Sequence, residues 1–157
     1  MLDKPYVTLT EEQLTAVVHL RVSRDEIKDV MDVAIQEVLS ALAAEGVKPT
    51  GPCFSFHFKR PTDTFDFEVG FPVGSAVVPR GRVKMSTLPA GMVACKVYRG
   101  PYEGLGAAWG QLFAWMESER LSGKGSLWES YVSGPESTPD PQNWRTELNC
   151  PLGSRRA

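Results

Sequence analysis

The sequence predicts an α+β fold of tandem β-α-β-β modules related by a pseudo-two-fold axis, an antiparallel sheet with two helices on one face. Three observations predict it. Phe67-Glu68-Val69-Gly70-Phe71-Pro72-Val73 and Thr146-Glu147-Leu148-Asn149-Cys150-Pro151-Leu152 share one pattern, x-Glu-apolar-small-apolar-Pro-apolar, at an offset of 147 − 68 = 79. Ser23 and Gly100 each open a helical pattern, and 100 − 23 = 77. Gly46 and Gly123 are expected to close those helices at the same offset, 123 − 46 = 77. Repeat one spans about 7–74 and repeat two about 83–152, with about two extra residues in the second. The expected organisation is one domain, residues 1–157, with 153–157 as a disordered tail.

Repeat one opens on Ala16 to Val22, a run of β-branched and apolar residues that reads as a strand. Ser23-Arg24-Asp25-Glu26 matches a capping box. Ile27, Val30, Met31, Ala34, Ile35, Val38 and Leu42 then keep the i, i+3, i+4 spacing of one buried helical face. Phe54 to Phe58 alternates with period two, Pro61 to Thr64 turns the chain, and Phe65 to Val69 alternates again, as a hairpin does.

Repeat two follows the same order. Met92 to Tyr98 is the strand, and Gly100-Pro101-Tyr102 is the turn into the helix. Leu105, Ala108, Trp109, Leu112, Trp115 and Met116 mark the apolar face. Gly104, Gly106 and Gly110 weaken this helix by up to ~1 kcal/mol each relative to alanine; they are expected where the helix approaches a sheet or ligand closely. Leu127 to Val132 is a strand, 134–143 a polar proline-rich loop, and Trp144 to Leu152 the last strand. Two such units side by side leave a groove between the helices, floored by the sheet, which is a natural ligand site.

Composition excludes several classes. Net charge is −2 with no basic block, so no nucleic-acid partner is expected. No apolar run reaches the ~18 residues of a membrane span, and the N-terminus lacks the apolar core of a signal peptide. Cys53, Cys95 and Cys150 form neither a CxxC pair nor a metal-ligand pattern. They read as small buried hydrophobes in a reducing cytoplasm, with no metal or cofactor implied.

Leu88-Pro89-Ala90-Gly91, Tyr98-Arg99-Gly100-Pro101-Tyr102, Glu129-Ser130-Tyr131 and Thr146-Glu147-Leu148 with Pro151 follow in order. With Gly51-Pro52, Asp66 to Val69 and Pro72, this order resembles the GyrI-like small-molecule-binding domain from roughly Val7 to Leu152. The resemblance implies tandem β-α-β-β modules, the SHS2 arrangement. It implies an effector-binding domain of multidrug-sensing activators, a stand-alone binder of toxic compounds, or a hydrolase of cyclopropane-bearing antibiotics. It points to Glu147 as the acidic residue facing the ligand and to Tyr131 and Tyr102 as pocket tyrosines. No stretch matches the DNA-binding domain that the activators attach, so direct transcription activation is not expected.

The residues themselves give the chemistry. Arg145, Glu147 and Asn149 share one strand face; Thr146, Leu148 and Cys150 share the other. If the helices cover the Glu147 face, a carboxylate sits among aromatics and favours a hydrophobic cation; otherwise Glu147 is exposed and paired with Arg145 or Lys96. Glu68 is its pseudo-symmetric mate. Glu129 and Tyr131 share a face by i, i+2 spacing and suit a polar ligand group or a proton transfer, or are a partly exposed strand pair. Trp109 follows Tyr102 by seven residues, so both can look into the groove, though an aromatic at helical spacing also suits a core. The function expected is binding of amphipathic, cationic aromatic small molecules, for drug or toxin sequestration or sensing. One alternative is hydrolysis of strained cyclopropane-bearing toxins with Glu147 as general acid or base. Another is a module that inhibits a protein partner.

Overall fold

The computed structural model describes residues 4–134 and 138–153. Eight strands form one antiparallel sheet: β1 Tyr6–Thr10, β2 Gln13–Ser23, β3 Phe54–His57, β4 Thr64–Pro72, β5 Val83–Leu88, β6 Gly91–Arg99, β7 Leu127–Ser133 and β8 Arg145–Pro151. Two helices, α1 Ile27–Ala44 and α2 Leu105–Ser118, follow β2 and β6, each entered through a 3-10 turn. The strand order is β1-β6-β8-β7-β3-β4-β2-β5. The predicted class is the observed one.

The strand order adds a feature that the repeat pattern did not show. β1 and β5 precede β2 and β6 in the chain, so each repeat is β-β-α-β-β. Yet β1 pairs with β6 and β5 pairs with β2. The repeats exchange their first strands. Only Glu11-Glu12 joins β1 to β2, and only Pro89-Ala90 joins β5 to β6, although five strands separate each of those pairs in the sheet. A two-residue link spans three Cα–Cα steps, at most ~11 Å, so the sheet must curl until its ends meet. Leu88 at one end packs against Val93, Cys95 and Trp128, the buried cluster of the inner face.

The helices lie on the outer face. Ala34, Val38, Ala41 and Leu42 of α1 pack on Ala16, Val18, Leu20, Phe67 and Val69. Ala108, Trp109, Leu112 and Met116 of α2 pack on Ala94, Leu127, Leu148 and Cys150. Val69 lies opposite Ser55, Ser55 opposite Glu129, and Glu129 opposite Leu148. Directly opposed residues share a face, so both helices stand on the same side.

The repeat offset is not constant. Helix starts differ by 105 − 27 = 78. The seam between the halves is the β3–β7 pair, where Ser55 opposes Glu129 across the pseudo-two-fold, and 129 − 55 = 74. Glu68 opposes Phe56 and Glu147 opposes Ser130, which restores 147 − 68 = 79. The change to 74 is one helical turn: α1 has 18 residues and α2 has 14. Glu68 and Glu147 are therefore equivalent, as the sequence pattern implies.

Local details correct four expectations. Gly46 closes α1 at φ +66, with Gly46 N–H donating to Ala43 O and Val47 N–H to Leu42 O, a Schellman ending. Gly123 is not its counterpart: Arg120, at φ 57, closes α2 with the same pair of bonds, Arg120 N–H to Glu117 O and Leu121 N–H to Met116 O. Ser23 and Glu26 bond to each other at 2.8 Å, without a side-chain bond to the helix backbone. Gly106 and Gly110 approach nothing within 4 Å, whereas a Cβ on Gly104 would stand 2.0 Å from Tyr98 Oη. That hydroxyl donates to Pro101 O at 2.7 Å and fills the turn into α2. Gly153, placed in the tail by the sequence reading, donates to Ser122 O; 154–157 and 135–137 lie outside the described residues.

Urea unfolding tests the Tyr98 plug. Gly104→Ala should cost about 1–3 kcal/mol, as overpacking does, and adding Tyr98→Phe should return part of the loss by removing the oxygen met first. Gly106→Ala should instead gain about 0.5–1 kcal/mol. Equal effects at the two glycines would show that Tyr98 does not fill this turn.

Candidate functional site

α1 packs on β2, β4 and β5, and α2 on β6. The β3–β7 seam lies between them, and its polar outer-face side chains are Ser55 and His57 from β3 with Glu129 and Tyr131 from β7. Alternation along each strand puts these pairs on one face. With the offset of 74, Ser55 is equivalent to Glu129 and His57 to Tyr131.

The four side chains form one hydrogen-bonded row. Tyr131 O–H donates to Glu129 Oε1 at 2.8 Å. Tyr131 Oη and Ser55 Oγ are 2.8 Å apart, and His57 Nε2 lies 3.2 Å from Ser55 Oγ. With Tyr131 donating to the carboxylate, Ser55 donates to Tyr131 and His57 donates to Ser55, so every proton in the row points toward Glu129. From α2, Trp109 Nε1–H donates to Glu129 Oε2 at 2.7 Å. Both carboxylate oxygens are thus held by neutral donors, and no ion pair to Glu129 is found among the described residues.

The two aromatic side chains that bond this carboxylate contact further rings. Tyr102, in the turn before α2, meets Tyr131 edge-on at 5.9 Å and Trp144 at 4.9 Å. Trp109 stacks on Phe113 at 5.4 Å, and the Arg60 guanidinium caps the Phe113 ring at 3.6 Å. Glu129 and Tyr131 are half-buried and Tyr102 is exposed at 37%. Tyr102 is the exposed ring of this group.

Burial sets the protonation states. It pushes the Glu129 carboxyl up, against the lowering effect of the Trp109 and Tyr131 donors. Burial also holds the Tyr131 phenol well above its ordinary value, with the Glu129 charge adding to it. His57 is lowered to about 4 by burial, so at neutral pH it is an uncharged imidazole, and its Nδ1 has no partner among the described residues. The Cys95 and Cys150 thiols are pushed up to about 12 and about 11 by burial and are inert as nucleophiles.

The sequence-predicted residues divide into two groups. Glu129, Tyr131, Tyr102 and Trp109 come together between the helices. Glu147 and Glu68 do not, which corrects the expectation that the helices cover the Glu147 face. Thr146, Leu148 and Cys150 face α2, and Glu147 points into the curl. There Asn149, its amide turned to satisfy both neighbours, donates to Glu147 Oε1 at 3.2 Å and accepts from Trp128 Nε1 at 3.1 Å. Glu68, also on the inner face, is 5% exposed, accepts from Ser86 Oγ at 2.7 Å and pairs with Lys84 Nζ at 3.3 Å. Lys84 already balances its charge. Ser55, His57, Trp144 and Phe113 were not foreseen as site residues. The signal for the first two was the repeat itself: allowing the second helix to be one turn shorter aligns Ser55-x-His57 with Glu129-x-Tyr131.

The profile of the GyrI-like small molecule binding domain matches residues 4–152, and the chain belongs to this family. No curated protein matches it. Among solved structures, the EcmrR C-terminal domain is similar with a TM-score of 0.84 at 24% identity, covering 98% of this chain and 99% of that one. EcmrR in its DNA complex gives a TM-score of 0.86 at 22% identity, covering 98% of this chain and 59% of that chain. This chain thus spans under two thirds of that longer one. SAV2435, solved bound to tetraphenylphosphonium, gives a TM-score of 0.68 at 10% identity over 96% and 94% of the two chains. At these identities the likeness is one of fold.

The raised Glu129 carboxyl has a consequence for stability. Its folded pKa lies above its unfolded one, so the folded chain binds that proton more tightly. This contribution is complete below the ordinary carboxylate range and is lost as pH rises through the folded value. Glu129→Gln, neutral at every pH, should therefore be more stable than the parent at neutral pH, by about 1–3 kcal/mol, with the gap closing toward about pH 4. Thermal melts across that range check it. A Glu129→Gln variant less stable at neutral pH would mean that the ionised carboxylate supports the fold.

Proposed function

We propose that this GyrI-like protein binds amphipathic, positively charged aromatic small molecules between its two helices. Glu129 is the countercharge, and Tyr102, Trp109, Tyr131 and Trp144 are the aromatic walls. One observation carries the reading: a half-buried carboxylate that only neutral donors hold, two of them aromatic side chains in contact with further rings. An ionised carboxylate in such surroundings is costly without a cation, and each aromatic face adds about 0.5–2 kcal/mol of cation–π attraction. Family membership supports a small-molecule ligand. The tetraphenylphosphonium bound to the structural neighbour SAV2435 supports the cationic class. Sequestration or sensing of such compounds is the use that follows.

A second reading, turnover of a strained ligand, is favoured by the Tyr131–Glu129 hydrogen bond, a proton donor and a raised carboxyl at 2.8 Å. Glu129 replaces Glu147 in that role because it stands on the helix side.

Calorimetric titration with tetraphenylphosphonium tests the binding reading. Glu129→Gln should weaken cation binding by about 1.5–3 kcal/mol and leave a neutral analogue of the same shape nearly unaffected. Glu147→Gln should bind as the parent does. Affinity should rise with pH through the Glu129 titration, because only the ionised carboxylate attracts the cation. Loss on Glu147→Gln with full retention on Glu129→Gln would overturn the assignment. Ring opening of a cyclopropane-bearing probe, followed by mass spectrometry and lost in Glu129→Gln, would establish the second reading instead.

A further inference from the structure

The pseudo-two-fold makes a specific statement about charge. Ser55 occupies in repeat one the position that Glu129 occupies in repeat two, and the two stand directly opposite each other across the β3–β7 seam. Opposed residues of an antiparallel pair have Cβ atoms about 4.5–5.5 Å apart. The neighbouring positions show the same divergence: neutral His57 where repeat two has Tyr131. Each half keeps its own i, i+2 hydrogen bond, His57 to Ser55 and Tyr131 to Glu129. The indole donor that steadies Glu129 comes from Trp109 alone. Met31, at the helix-start offset of 109 − 78 = 31, and Ile35, at the helix-end offset of 109 − 74 = 35, have no donor to offer from α1. Of the two equivalent positions only one bears a carboxylate; the other is a hydroxyl 1% exposed.

We propose that Ser55 fixes the charge class of the bound molecule: the cleft takes singly charged cations and rejects dications, because a neutral hydroxyl stands where symmetry offers a second carboxylate. This rests on the cation-binding reading above. With Glu129 engaged by the first charge, a second positive charge at the seam finds no further carboxylate there, only the hydroxyl of Ser55 and the uncharged His57. Its lost hydration is then uncompensated, and burying an unpaired charge is strongly unfavourable.

A near-isosteric pair of probes isolates the effect: N-methyl-4-phenylpyridinium with one charge and N,N′-dimethyl-4,4′-bipyridinium with two. The full chain should bind the monocation at least about tenfold more tightly than the dication, a difference of about 1.4 kcal/mol. Ser55→Asp should narrow or reverse that ratio by at least about tenfold, and more so as pH rises and both carboxyls ionise. Equal or tighter dication binding by the unaltered chain overturns the proposal whether or not Ser55→Asp folds. So does an unchanged ratio in a folded Ser55→Asp chain. If the monocation binds and Glu129→Gln abolishes that binding while the ratio fails to move, Ser55 is not the determinant and the cation reading stands. If neither probe binds, both fall.

Discussion

Two links of two residues each govern this structure. Glu11-Glu12 and Pro89-Ala90 tie the ends of the eight-stranded sheet together, because each repeat lends its first strand to the other repeat's edge. The curl that follows buries the inner face as well as the outer one. Phe56 and Trp128 stack inside it, against Val93 and Cys95, while the helices cover the outside. On the outer face of the β3–β7 seam Ser55 and His57 are buried and Glu129 and Tyr131 partly buried between the helices. A site on that seam draws one strand from each repeat, and the row from His57 to Glu129 crosses between them.

Double burial also explains what was legible in the chain. The helices, the hairpin strands and the equivalence of Glu68 with Glu147 are periodic features, and they were readable. The face on which Glu147 lies was not. In a sheet with one wet side, alternation separates core from solvent. Here Thr146, Leu148 and Cys150 are buried on one side and Asn149 on the other, so alternation in β8 cannot say which side bears the helix. β1 was passed over although Tyr6 to Thr10 alternates and is β-branched, since its partner lies in the other repeat. The Glu129–Tyr131 pair was visible as i, i+2 spacing. Its link to Ser55 was hidden because a missing helical turn shifts the offset from 78 to 74.

The asymmetry of the seam is where fold and function meet. Duplication supplied two equivalent sets of positions. One set became Ser55 and His57, neutral and buried, and adds hydrogen bonds without charge. The other became Glu129 and Tyr131, half-buried, with Glu129 held also by Trp109. On the proposed reading the carboxylate serves recognition at the expense of stability, which is the usual relation between a binding group and the fold that carries it. Arg60 illustrates the same economy of charge: its guanidinium lies on the Phe113 ring beside the cleft, and it does not neutralise Glu129.

The central claim is that Glu129 is an unneutralised carboxyl at a cation site. Carbon-detected NMR titration of the side-chain carboxyls, with and without tetraphenylphosphonium, tests it most directly. The account predicts that Glu129 titrates above the ordinary carboxylate range in the free protein and falls toward or below it when the cation is bound. A Glu129 that titrates in the ordinary range and does not respond to the cation would contradict it.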